Sequence, residues 1–400
     1  MQQIGILQQE LHQVIDTLCI VPLTKVVFSS SVERVIIHKK RKERVWIMNA
    51  QTVTYHPVDT PYPRGITLDS QRTKIPEQAF WMKPTSTGWI FSMHLVNPLQ
   101  QVENFVADKG KDFFVDALCD KIRNNQDSSP YGFTIFTTRE QQVLSLLLQE
   151  AERKVISVDI PLDAEFLVNG DVVIYETVFL NEKRVTFQGF ADTMQDQTIF
   201  SEVAQDVTRL ASALCAYRID RGAWVASENI RAFDNFLEGS SGKNSVDLAK
   251  AVVEELSVFI NTTLSVYCTE YNVPIIYRNA GKVEKKVFGF NISIQQSSKS
   301  FLEKLRDAVL GYTFYKSVEH MCILLEKDVY SKIEGVPAFF SVSPLGHYRL
   351  AVREYAWFTT PIRTIVGLLN IVNLAMFLRG EEYFLSDNDI GRIVNELNRS

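Results

Sequence analysis

Between Thr364 and Leu378 the chain reads TIVGLLNIVNLAMFL, a run without a single charged residue. A helix that is apolar on every side cannot lie on a surface, so this one must be buried. The rest of the chain has to supply what covers it. With 400 residues, 46% of them hydrophobic, and 25 Phe, 14 Tyr and 5 Trp, there is material for one large domain and a small one. The run falls short of the roughly 18 apolar residues that a membrane span needs, so no membrane partner is expected. A net charge of −5 excludes a protein that coats nucleic acid indiscriminately, but not a narrow basic channel in an acidic protein. The five cysteines are scattered without CxxC or CxxH spacing and read as buried hydrophobes in a reducing compartment. Met1–Glu10 has neither the basic nor the apolar region of a signal peptide, and the expected location is cytoplasmic.

Residues 2–19 place Ile4, Leu7, Leu11, Val14, Ile15 and Leu18 at helical spacing. Short β-branched runs follow at Val26–Phe28, Val32–His38, Arg44–Met48 and Thr52–His56. The basic run His38–Arg44 between two of them reads either as a solvated hairpin tip or as a nucleic-acid contact. Pro57, Pro61 and Pro63 mark a linker, which predicts a small N-terminal piece over 1–60 and a large domain over 61–400. In the large domain, Lys154–Asp159 and Gly170–Leu180 read as a hairpin. Glu202–Ile219 and Val246–Tyr271 read as helices, and Val273–Arg278 as a strand. The fold class is mixed α/β of the α+β kind.

Ala338–Arg363 reads AFFSVSPLGHYRLAVREYAWFTTPIR. It resembles the signature of the ribonuclease II (RNB) family, written YxxxPxxHFxLAxxxYxHFTSPIRRY. Pro344, His347, Leu350, Ala351, Tyr355, Phe358, Thr359, Pro361, Ile362 and Arg363 stand where that family has those residue types. Gly65–Asp69 (GITLD), Gly88–Pro98 (GWIFSMHLVNP), Thr186–Phe200 and Val273–Arg278 (VPIIYR) are similar to further blocks of the family in the same order. The resemblance implies an RNB-like domain over 61–400. It also implies that the OB-fold modules which flank the family's nuclease core, and clamp single-stranded RNA, are missing here.

Family nucleases degrade RNA from its 3′ end with magnesium held by four aspartates, in a segment like hDxxxxxDhDDA. Magnesium needs hard oxygen ligands in octahedral array, and a metal pair can stabilise both attacking and leaving oxygens. The matching segment here is Leu68–Ala79, LDSQRTKIPEQA. Asp69 fits the first aspartate; Ile75, Glu77 and Gln78 stand at the other three places, beside Lys74 and Pro76. The resemblance therefore leaves Asp69 and Glu77 as the remnants of a metal site and, with Arg363, of a catalytic one. Magnesium is expected if the chain is active, and otherwise no cofactor. Read without the family, a strand-end Asp69 and an exposed loop Glu77 are ordinary. Thr364 and Ile365 replace the family's second arginine and its tyrosine, and Asn97 replaces a further aspartate.

By resemblance, Arg363, Phe200, His347 and Tyr355 are the RNA-contacting positions. From the residues alone, Arg363 pairs either with RNA phosphate or with a buried carboxylate such as Glu354. A lone histidine reads as a core group, and so does the aromatic cluster of Phe339, Phe340, Trp357 and Phe358. The retained framework and replaced carboxylates point to an RNA-binding homologue whose exoribonuclease activity is lost or much reduced, with single-stranded RNA or a protein as partner. The alternatives are a divergent magnesium-dependent 3′-to-5′ exoribonuclease and a protein-interaction scaffold without RNA affinity.

Overall fold

The computed structural model describes residues 62–399, apart from 125–133, 148–150, 222, 224, 240–244, 281–285, 288–289 and 292–337. The chain divides into two compact units, Met1–Trp46 and Ile47–Ser400, and every described residue belongs to the second. The expected N-terminal helix, the strands between Val26 and His56, the basic run His38–Arg44 and the 1–60 piece lie outside the described residues.

A six-stranded sheet organises the domain. Its strands are β1 (Ile66–Asp69), β2 (Gln78–Thr85), β3 (Gly88–Val96), β4 (Arg153–Leu162), β5 (Val173–Phe179) and β6 (Lys183–Thr186), ordered β5-β4-β3-β2-β1-β6. Neighbours run antiparallel except β1 and β6, which are parallel with Asp69 opposite Thr186. Ala79–Met82 of β2 are buried in succession, as expected of a strand covered on both faces. The tight β2–β3 turn ends at Gly88, whose φ is 148°. A Cβ there would fall 2.1 Å from the Leu162 carbonyl oxygen, so a side chain has no room.

The helices are α1 (Leu99–Lys109), α2 (Lys111–Arg123), α3 (Thr138–Leu144), α4 (Phe190–Thr193), α5 (Ile199–Asp220), α6 (Ser227–Leu237), α7 (Ser245–Glu270), α8 (Ile365–Arg379) and α9 (Asp387–Leu397). Helix α5 packs on β2, α7 packs on α5 and α6, and α8 touches α1 and β5. The architecture is mixed α/β. The expected helices at 202–219 and 246–271 are α5 and α7, and the expected hairpin is β4–β5.

Helix α8 is the apolar run, and Ile365 through Met376 are all buried. The Thr364 side chain caps its start by accepting from Gly367 N–H at 3.1 Å, and Gly380 ends it in the left-handed region. Two buried asparagines interrupt the apolar surface. Asn370 Oδ1 accepts from Ile276 N–H at 2.8 Å, while its Nδ2 donates to the Ile276 and Trp357 carbonyls, each at 3.0 Å. Asn373 Nδ2 donates to the Pro274 carbonyl at 2.6 Å.

These bonds explain why the strand expected at Val273–Arg278 is found only as β7 (Tyr277–Asn279). Pro274 has no N–H for a ladder, and the residues after it are held by side chains of α8 instead. Asn370→Leu should therefore cost about 2 kcal/mol or more, because it orphans buried backbone groups of Ile276 and Trp357. Urea denaturation measures it; a midpoint unchanged from wild type would show that these bonds do not hold the segment.

Candidate functional site

Strand β1 delivers Asp69 at its end, and the loop 70–77 carries the chain to Glu77 just before β2. Backbone bonds fix that loop. Thr73 N–H donates to Ser70 O at 2.9 Å, Leu146 N–H to Pro76 O at 2.9 Å, and Val96 N–H to Glu77 O at 3.0 Å. Arg184 on β6 adds Nη2 to Thr73 O at 2.8 Å. Glu77 is buried, with only 1% of its surface exposed. This corrects the reading of Glu77 as an exposed loop residue: the loop's exterior is formed by Gln71, Arg72 and Lys74.

Arg363 comes from the turn that leads into α8. Asn261 of α7 steadies that turn, its Oδ1 accepting from Phe358 N–H at 2.9 Å, and Thr364 N–H donates to Thr360 O at 3.0 Å. The Arg363 Nε donates to Glu77 Oε1, and Ile362 N–H donates to Glu77 Oε2 at 2.6 Å. Burial pushes the Glu77 carboxyl pKa up, against the opposing pull of Arg363 and the backbone N–H groups of Ile362 and Arg363. Of the two partners weighed for Arg363, a buried carboxylate is what it has, but that carboxylate is Glu77 and not Glu354. The Glu354 carboxyl lies with Thr269 and Arg353.

Asp69 is different. Its Oδ2 is buried with no hydrogen-bond partner, and burial raises its pKa to about 6 despite the nearby charges of Arg363 and Arg184. A magnesium pair does not fit these residues. Ile75 offers no donor atom, both Glu77 oxygens are taken, and Gln78 turns its Nε2 toward Ser257 Oγ at 3.5 Å. Among the described residues no group of three or more His, Cys, Asp or Glu could hold a metal ion. The expected pair of metal ligands, Asp69 and Glu77, is thus one desolvated acid and one acid already neutralised by an arginine.

The other RNA-contacting expectations fare unequally. Phe200, at the start of α5, is half-buried; Lys183 Nζ lies 4.9 Å from its ring centroid, and Trp81 meets it edge-on at 6.3 Å. The Arg64 guanidinium sits 4.2 Å over Trp81, so cations and aromatics alternate along this edge. Both cations also hold carboxylates, Arg64 with Glu182 and Lys183 with Asp196. Sequence reasoning missed this ladder, because Arg64, Trp81, Lys183 and Phe200 share no spacing that would announce it.

His347 and Tyr355, expected by resemblance among the RNA-contacting positions, lie in the interior. They are buried, 5% and 7% exposed, with their rings in an edge contact at 5.2 Å. Burial and the charges of Arg278, Arg349 and Arg218 take the His347 pKa down to about 3, so it stays neutral. His94, also buried, hydrogen-bonds Ser157 Oγ at 2.8 Å and Arg64 O at 3.0 Å, a satisfied core histidine. Asn97 donates to Glu176 and accepts from Leu99 N–H at the start of α1, a structural duty.

A sheet flanked by helices, a TPIR turn before a buried helix and the Asp69–Glu77 loop facing it define the class: a ribonuclease II-type catalytic fold with altered acids. The RNB domain profile matches residues 138–380, and the chain belongs to the RNB-domain family. That span leaves out Leu68–Ala79. Ribonuclease R of Thermotoga maritima is 22% identical over 262 residues, covering 60% of this chain and 35% of that protein. The chain thus spans about a third of this relative's length. Among solved structures, Mycoplasma genitalium RNase R in complex with double-stranded RNA superposes with a TM-score of 0.58 at 16% identity, over 86% of this chain and 63% of that one. Yeast Ssd1, a pseudonuclease, gives 0.58 at 16%, over 85% and 43%. An active-site mutant of the Candida glabrata exoribonuclease Dss1 gives 0.59 at 14%, over 84% and 43%. At these identities the structural likenesses show a shared fold.

Two substitutions test the geometry. Arg363→Ala strands a buried carboxylate and should cost about 3 kcal/mol, whereas Glu77→Gln should cost about 1 kcal/mol, because Arg363 can turn to solvent. Equal losses in urea denaturation would contradict the asymmetry. The raised pKa of Asp69 means the folded state binds more protons between its usual value of 3.8 and about 6. Stability therefore falls as pH rises through that window, and the penalty is fully present above it. Asp69→Asn should stabilise the fold by on the order of 2 kcal/mol near neutral pH and by almost nothing below the window. Melting curves at both pH values check it; destabilisation at neutral pH would mean that the charged carboxylate serves the fold.

Proposed function

We propose that this chain is an RNB-domain protein that binds single-stranded RNA and has lost, or nearly lost, 3′-to-5′ exoribonuclease chemistry. The observation that carries this reading is the buried Glu77, whose two oxygens are taken by Arg363 and the Ile362 N–H. A carboxylate so engaged is a poor magnesium ligand, and Ile75 and Gln78 offer no replacement charge. The fold likeness to yeast Ssd1, a pseudonuclease, supports the loss of hydrolysis. The likeness to RNase R complexes with RNA supports a retained affinity for RNA. Within this reading Arg363 and Phe200 remain RNA-contact residues; His347 and Tyr355 instead support the turn from inside.

Among the described residues no helix is long and apolar enough to cross a membrane, and the reading locates the protein in the cytoplasm. A 5′-fluorophore-labelled poly-purine RNA with a free 3′-hydroxyl, incubated with and without magnesium, tests it. The expected result is a complex in both conditions and no shortening of the RNA. Magnesium-dependent 3′-to-5′ degradation that Asp69→Asn abolishes would overturn the loss of chemistry. No binding at all would favour the protein scaffold.

A further inference from the structure

We propose that Glu77, which stands where the resemblance expects a metal-binding aspartate, acts here as the positioning residue of Arg363. The anchored guanidinium is then a metal-independent receptor for a phosphate oxygen of single-stranded RNA. This deepens the RNA-binding reading above and rests on it.

A guanidinium presents five N–H donors in a rigid fork. In Arg363 the Nε on the inner edge is taken by Glu77 Oε1, while no described residue accepts from its Nη groups. The Arg363 side chain is 47% exposed and that of Glu77 fully buried. One edge of the fork is therefore fixed to an immobile acid, whose other oxygen is held by the Ile362 N–H, and the outer edge opens to solvent. An arginine ordered before its ligand arrives loses less freedom on binding than a loose one. Only a carboxylate serves as this anchor. Glu77 accepts from two different donors with two oxygens, and an amide has one.

The charges around the pair have changed in the same direction. A cluster of four carboxylates repels phosphate unless divalent cations bridge them. Here Ile75 is neutral, Lys74 is exposed, and Arg184 lies close enough to Asp69 to act on its charge. A phosphate oxygen meeting the open fork of Arg363 forms charge-assisted hydrogen bonds directly, with no bridging ion. Lysine could not replace this arginine, since one ammonium cannot face Glu77 and grip phosphate along a second edge.

Fluorescence anisotropy with a labelled single-stranded poly-purine RNA tests the inference. It compares wild type, Glu77→Gln, Arg363→Lys, Arg363→Gln and the double variant Glu77→Gln/Arg363→Lys, in EDTA and in magnesium at matched ionic strength. Arg363→Lys keeps a charge against Glu77 and so guards against simple unfolding, and a thermal melt accompanies each variant. Wild-type affinity should be the same in EDTA and magnesium. Each single variant should bind about ten-fold more weakly, and the double variant no more weakly than the worse single one. Arg363→Gln should also lower the salt dependence of log K by about 0.7, the share of one phosphate contact on a single strand, which a merely structural loss leaves unchanged. Wild-type affinity that collapses in EDTA, or Glu77→Gln binding like wild type, would overturn this inference while leaving RNA binding intact. Failure of the wild type to bind RNA would remove both readings together.

Discussion

A carboxylate with 1% of its surface exposed sits at residue 77, and its partner comes from 286 positions later in the chain. A charge in that position cannot be left alone, because desolvating an unpaired carboxylate costs several kcal/mol. Its two oxygens join the loop after β1 to the turn before α8, so the end of the sheet and the most buried helix are tied at one point. Around that tie the same logic repeats. Asn261 holds the turn from α7, and Asn370 and Asn373 hold Pro274–Ile276 from α8. These buried side chains clamp irregular backbone, where neither helix nor ladder can satisfy it.

The chemistry of the acidic loop follows from this tie. A metal site and an ion pair are two answers to the same problem of neutralising buried carboxylates, and they compete for the Glu77 oxygens. Asp69 keeps the unsolved part of the problem: a buried oxygen without a partner, and a carboxyl whose protonated form is favoured up to about pH 6. One acid keeps a buried oxygen without a hydrogen bond beside one already held in an ion pair, which is a poor cradle for two hexacoordinate ions.

What could be read in the sequence was what depends on local pattern. The apolar run at Thr364–Leu378, the long helices α5 and α7 and the β4–β5 hairpin follow from periodicity, and the family follows from one dense segment, Ala338–Arg363. The site was legible only as a set of positions. Asp69, Glu77 and Arg363 could be named, but Glu77 lies in a loop with Arg72 and Lys74 and reads as exposed. It is held by Val96, Ile362 and Arg363, partners that no spacing encodes. Glu354 looked a natural partner for Arg363 because it is near in sequence; the turn at Thr359–Arg363 carries the arginine away from it. His347 and Tyr355 sit in the family's signature, yet here they pack on each other inside the fold. The cation–aromatic ladder of Arg64, Trp81, Phe200 and Lys183 draws on four segments and had no sequence signal at all.

We propose that Arg363 takes the place of a cation in this site. Calorimetric titration of the purified chain with manganese(II), a spin-active stand-in for magnesium whose binding electron paramagnetic resonance can also follow, tests it most directly. The expected result is no saturable binding in the micromolar range for the wild-type protein. Stoichiometric manganese binding that disappears on Asp69→Asn or Glu77→Gln would contradict the account.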